Sequence, residues 1–75
     1  MRIAPTFDAK TRQIAIDHHL EFLRRRVSSI SDEDIAAIYR AVDKPELLED
    51  GSMRSMVTVQ GHLTQYRYVP EPVAP

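Results

Sequence analysis

Three kinds of side chain in this sequence could do chemistry: histidines, clustered arginines and clustered carboxylates. His18 and His19 are adjacent, and histidine is the commonest metal ligand in proteins. Adjacent residues on a helix project about 100° apart, so these two rings cannot easily share one ion. His62 falls in a predicted turn, and the chain has no cysteine to complete a ligand set. We therefore predict no metal and no cofactor.

The arginine run Arg24–Arg26 could contact phosphates. Three consecutive residues fan around most of a helix, however, and do not form a single basic stripe. A basic last turn also complements the negative end of a helix dipole and can pair with an acidic helix start that follows. We interpret this run as a helix terminus, and we regard a nucleic-acid partner as the less favoured reading.

The carboxylates form two groups, neither of which predicts catalysis. Asp32, Glu33 and Asp34 are explained by the start of a helix, where carboxylates favour the positive end of the dipole. The second group, Glu46, Glu49 and Asp50, is typical of a solvated short helix or a docking patch. No His or Ser stands at a spacing that suggests triad chemistry, so we predict that the protein is not an enzyme.

The elements that position these groups are best defined around Ile30 and Ser31. Ser31 is a predicted N-cap with Asp34 at the third helical position, and Ile30 and Ile35 form the matching hydrophobic staple. The junction predicts a first helix from after Thr6 or Asp8 to about residue 28. A second helix should then run from about residue 32 to residue 42.

The remaining chain predicts a short helix and a β-hairpin. Pro45 ends the second helix, and residues 45–50 look like a single helical turn closed by Gly51. From residue 55 the period changes to two, and Gly61-His62 suits a two-residue type II′ turn. That turn sets Val57 opposite Tyr66 and places Val57, Val59, Tyr66 and Tyr68 on one face.

These elements predict an α+β fold, a two-helix hairpin plus a short third helix packed on a C-terminal antiparallel β-hairpin. Residues 1–69 form one small domain, residues 70–75 an extended Pro-rich tail, and Met1–Ala4 a possible extra strand. The predicted core consists of Ile16, Leu20, Leu23, Val27, Ile35, Ile38, Val42, Val57, Val59, Tyr66 and Tyr68.

Composition limits the classes of function. The net charge of the 75 residues is −1, but residues 1–30 carry six basic and three acidic side chains, whereas residues 31–51 carry two basic and seven acidic ones. This balance argues against non-specific nucleic-acid binding by the whole surface and leaves room for a local acidic patch. The absence of cysteine, of an apolar signal core and of any membrane-spanning run predicts a cytoplasmic protein without membrane contact.

The first helix carries a second apolar set, which lies apart from its main apolar stripe of Ile16, Leu20, Leu23, Val27 and Ile30. Ile14 and Phe22 fall on roughly the far side of the helix, with His18 between them. The hairpin could cover this side, or it could be an exposed patch used for a partner or for a two-fold homodimer. The candidate partner or dimer surface comprises Ile14, His18, Phe22, Glu46, Glu49 and Asp50.

We therefore predict a small non-enzymatic protein–protein interaction module that acts as a regulator, adaptor or inhibitor of a larger protein. Accessory proteins of phages and plasmids often have this size and this lack of chemistry. The alternative follows from the element order, which resembles a winged helix-turn-helix in outline and implies a DNA-binding transcriptional regulator. The segment in the place of the recognition helix, Lys44–Asp50, is acidic, and the hairpin tip at residues 60–63 has no Lys or Arg.

Overall fold

The computed structural model describes residues 5–70, and it confirms the α+β class. Helices α1 (Ala9–Arg24) and α2 (Asp32–Asp43) precede strands β1 (Glu46–Leu47), β2 (Met53–Val59) and β3 (His62–Tyr68). The strands form an antiparallel sheet in the order β1-β2-β3. The extra strand predicted at Met1–Ala4, and the predicted tail beyond Pro70, lie outside the described residues.

Helix α1 begins and ends with backbone groups that have defined partners. The Asp8 side chain caps the helix by accepting a 2.7 Å hydrogen bond from the Thr11 N–H, and this bond lowers the pKa of the Asp8 carboxyl. The helix ends at Arg24, four residues before the predicted end. Val27 and the serines after it have weak helix propensity. Val27 nevertheless packs against the core from the loop, so its position in the hydrophobic pattern is explained.

Helix α2 starts with the predicted capping box. Ser31 Oγ accepts from the Asp34 N–H, and the Asp34 carboxylate accepts from the Ser31 N–H, both at 3.2 Å. The Asp34 carboxylate also accepts a 3.1 Å hydrogen bond from the Gln60 side-chain amide, which donates at 2.9 Å to the Ser29 carbonyl as well. The tip of the hairpin is thus fixed to the start of α2, and these hydrogen bonds lower the pKa of Asp34.

We expect Ser31→Ala to lower the free energy of unfolding by about 1 kcal/mol, because the N-cap hydrogen bond to Asp34 is lost. Urea unfolding followed by circular dichroism measures the change. Ser28→Ala is the matched control, since Ser28 is an exposed loop serine outside the capping box. Equal unfolding midpoints for the two variants would contradict the role of the cap.

The predicted short third helix is wrong: its first residues form an edge strand instead. Glu46 and Leu47 pair with Arg54 and Met53, and residues 48–52 form the turn that joins the two strands. Gly51 adopts a φ of 87° there, and its N–H donates to the Leu48 carbonyl at 3.0 Å. A proline followed six residues later by glycine also fits a turn, and one helical turn is too short to be stable alone.

The β2–β3 hairpin has the predicted faces but a different turn. Gln60 and Gly61 occupy the loop with φ values of 51° and 80°, so the turn is type I′ and not type II′ at Gly61-His62. Val57 consequently lies opposite Thr64, where Tyr66 was predicted. The register differs by two residues, and an even difference keeps each side chain on its predicted face.

Both helices cover the same face of the sheet, α1 mainly over β3 and α2 over β2. Arg12 in the first turn of α1 pairs with Asp43 at the end of α2 at 2.6 Å, as expected for antiparallel helices. Of the predicted core, Ile16, Leu23, Ile38, Val42, Val57 and Val59 are buried, and Leu20, Val27, Ile35, Tyr66 and Tyr68 are half-buried. Phe7 and Ala15 join this core without having been predicted, and Phe7 packs edge-on against Tyr66 and Tyr68.

Candidate functional site

The second apolar set of helix 1 lies on an open groove, which we name the α1 groove. Its volume is about 450 Å³, and it is lined by Ile14, Asp17, His18, Glu21, Phe22, Arg25 and Arg26. The structure therefore brings together three of the six predicted surface residues. Ile14 is 45% exposed, and Phe22 is half-buried against the core. The hairpin covers this side of α1 only in part, so apolar surface remains open to solvent beside charged groups.

His18 connects the α1 groove to strand β3. Its Nε2–H donates a 2.8 Å hydrogen bond to the backbone carbonyl of Gln65, because a carbonyl oxygen can only accept. The ring also lies 5.4 Å from that of Tyr66, measured between centroids. Gln65 faces Met56 in the β2–β3 ladder. His18 thus connects helix α1 to strand β3.

Phe22 forms the middle of the α1 groove together with Arg26, a residue that the sequence predicted only as part of a helix terminus. The Arg26 guanidinium lies 3.6 Å from the centroid of the Phe22 ring, and it donates to the Phe22 carbonyl at 3.1 Å. Arg26 therefore has a fixed place on the rim. Arg25 donates to Glu21 at 3.4 Å in an exposed i,i+4 pair, which is worth little on its own.

The other three predicted surface residues, Glu46, Glu49 and Asp50, lie on or after β1, the strand at the opposite edge of the sheet from β3. Glu46 accepts a 3.1 Å hydrogen bond from Arg54 Nε, and Asp50 pairs with Arg67. Hydrogen bonds from Ser52 lower the pKa of the Asp50 carboxyl. The structure thus divides the six candidates into an apolar groove and a partly neutralised acidic turn.

The sequence pattern does not single out three of the groove residues, Asp17, Glu21 and Arg25. Their positions carry a recognisable signal, because steps of three and four residues from Ile14 place them all on one stripe of α1. Hydrophobicity alone selected Ile14 and Phe22 and gave no reason to add charged neighbours. A search for helical spacing that ignored residue type would have found the whole stripe.

A histidine–serine pair lies under α1, and it too was missed. His19 Nε2 is 2.8 Å from Ser55 Oγ, and both residues are buried. Burial, reinforced by the neighbouring His18, lowers the pKa of His19 to about 4, so the ring is neutral at physiological pH. Such a pair resembles a base beside a nucleophile, but neither group is accessible to a substrate. We interpret it as a polar contact of the core.

Residues 5–70 contain neither a cluster of metal ligands nor a helix suited to span a membrane. Among residues 5–70, no three His, Cys, Asp or Glu side chains converge in a way that could hold a metal ion. Over the same range, neither helix combines the length and the apolar character required to cross a membrane. The His18 and His19 rings lie 5.8 Å apart at 72° and have separate partners, as their adjacent positions on a helix require.

Neither a protein-family model nor a curated protein nor a solved structure matches this chain.

Proposed function

We propose that this chain is a small non-enzymatic protein–protein interaction module, which acts as a regulator, adaptor or inhibitor by covering a surface of a larger protein. The α1 groove is the observation that carries the proposal. It combines exposed apolar area at Ile14 with a half-buried aromatic ring at Phe22, and charged side chains surround both. Protein interfaces have this composition, with an apolar centre that supplies binding energy and a polar rim that supplies specificity.

The chemistry of the other groups is in keeping with a binding role. His19 and Ser55 could act as base and nucleophile only if a substrate reached them, and both are buried. The acidic turn offers a second, weaker contact, since Glu46 and Asp50 already have arginine partners. The cysteine-free composition is compatible with a cytoplasmic location, which we adopt as part of the proposal.

The DNA-binding alternative depends on a short third helix, and residues 5–70 contain none between α2 and the hairpin. The segment expected to serve as a short recognition helix forms β1 and a turn, and Glu46 and Asp50 point two carboxylates from it toward arginines of the sheet. A recognition element normally presents donors and positive charge to the groove edges and phosphates of DNA. The acidic character of this segment therefore disfavours the DNA-binding alternative, which a DNA-binding assay can distinguish from the proposal.

Affinity capture tests the proposal. The tagged chain, incubated with a lysate of its own source, is expected to retain one protein in stoichiometric amount. Phe22→Glu and Ile14→Glu should lower that retention at least ~30-fold, because each places a charge in the centre of the interface. Leu47→Glu is the matched control: it introduces the same charge at a 59% exposed leucine on the opposite edge of the sheet and should leave retention unchanged.

A gel-shift assay with duplex DNA runs in parallel. An interaction module should leave DNA unshifted at every salt concentration. Tight duplex binding that weakens steeply with salt and on Arg24→Ala or Arg54→Ala, without a captured protein, would replace the proposal with the DNA-binding alternative. Capture that survives Phe22→Glu but is lost on charge reversal of Glu46 and Glu49 would move the interface to the acidic turn.

A further inference from the structure

We infer that a second copy of this chain occupies the α1 groove in the free protein, with the two α1 helices antiparallel about a two-fold axis. The inference rests on the proposed function, because it takes the α1 groove to be an interface, and it adds the identity of the occupant. A larger partner that docks on the same groove then competes with the second copy.

The order of charges along the groove selects the occupant. The carboxylates Asp17 and Glu21 precede the guanidinium groups of Arg25 and Arg26, so the stripe has an acidic half followed by a basic half. An antiparallel second copy sets the acidic half of each helix toward the basic half of the other. A parallel copy would set like charges together, and a partner of one charge sign would be repelled by half of the stripe.

A two-fold contact also covers the apolar centre of the groove. In an isologous interface the same patch is used by both copies, so Ile14 and Phe22 of each copy lose contact with water. His18 stays fixed against Gln65, so its ring meets the second copy as part of a preformed surface. Preformed groups lose little conformational entropy on binding.

A stable dimer needs an interface of a certain area. A standard interface buries roughly 800 Å² on each partner, about one-seventh of the 5730 Å² surface of this chain. The stripe from Ile14 to Arg26 extends about 18 Å along the helix axis. Strand β3 adjoins it through the His18–Gln65 hydrogen bond, so the contact can extend from the helix onto the sheet.

Light scattering on the 75-residue chain tests the inference. From low to high micromolar concentration, the mass is expected to rise from 8.6 kDa toward twice that value. Ile14→Glu should raise the dissociation constant at least ~30-fold, and Leu47→Glu should not change it. Ile14 is exposed in the single chain, so the variant is expected to fold, which circular dichroism checks.

A charge exchange tests the antiparallel arrangement. One variant carries Asp17→Arg with Glu21→Arg, and the other carries Arg25→Glu with Arg26→Glu. Each stripe then has a single sign, so each variant alone should remain monomeric, whereas an equimolar mixture should form a heterodimer. Recovery of a dimer in the mixture identifies the stripe as the contact between copies. Two variants that were only destabilised would not regain a dimer by being mixed.

Two outcomes would overturn the inference. One is a wild-type mass of 8.6 kDa at high micromolar concentration, and the other is a dimer that both charge-exchange variants form alone. The first result leaves the proposed function intact if Phe22-dependent capture persists. If the dimer forms but no larger protein is captured, the proposed function is contradicted, and the second copy remains the occupant of the α1 groove.

Discussion

Lowering the pH from 6.5 to 4 is expected to remove about 3 kcal/mol from the free energy of unfolding, because His19 is buried as a neutral ring. The folded-state pKa is about 4, whereas the ring in an unfolded chain titrates near 6.5. Between these values the unfolded state binds the proton and the folded state does not. The contribution of His19 to stability is therefore present above pH 6.5, and it falls by roughly 1.4 kcal/mol per pH unit on acidification.

Urea unfolding at half-unit pH steps measures this slope. The double variant His19→Leu with Ser55→Ala is the control, because it removes the titrating ring and leaves no unpaired hydroxyl in its place. Its stability should change little between pH 6.5 and 4. The carboxyls whose pKa is lowered, such as Asp34 and Asp43, contribute stability that is lost as the pH falls through 3.8 and below, mostly outside this window. A flat wild-type profile would contradict the assignment.

Leu23→Ala is expected to lower the free energy of unfolding by roughly 2–5 kcal/mol, as is typical when a large side chain is truncated at a well-packed site. Leu23 is fully buried at the centre of the core formed by both helices and the sheet. A domain of this size is stable by only about 5–10 kcal/mol, so the variant should lose a large share of its stability. Thermal and urea unfolding measure the loss.

Leu47→Ala removes the same atoms at a position that is 59% exposed, and it should cost about 0.5 kcal/mol or less. The difference between the two leucines isolates burial from residue type. Equal losses, or a melting temperature that Leu23→Ala leaves unchanged, would show that the main stripe of α1 is not the centre of the core.

The junction between the helices could be predicted because all of its signals are local. Ser31 and Asp34 cap each other within one turn, so four consecutive residues contain the whole interaction. The faces of the hairpin could be predicted for a similar reason, since alternation survives any even change of register. Val57 and Val59 are accordingly buried although the turn differs from the one expected.

The features that could not be predicted depend on distant partners. Residues 46–47 become a strand because β2 offers them hydrogen bonds, and their own residues do not distinguish this state from a helical turn. His19 becomes a core residue because Ser55, 36 positions away, supplies a hydrogen bond in the interior. Of the candidate surface, Ile14, His18 and Phe22 share one helix and remain together. The acidic group lies at the opposite edge of the sheet, because its segment pairs with β2 and does not form the predicted third helix.

The side chain of Gln60 has a consequence for the order in which the chain folds. Gln60 begins a tight turn with a φ of 51°, a conformation that costs a non-glycine residue about 1 kcal/mol or more. Its compensating hydrogen bonds go to Ser29 and Asp34, at least 26 positions away. The tip is therefore a poor autonomous nucleus, unlike an Asn-Gly tip. We expect the strands to join only as the second helix forms, so that sheet and helices appear in one cooperative step.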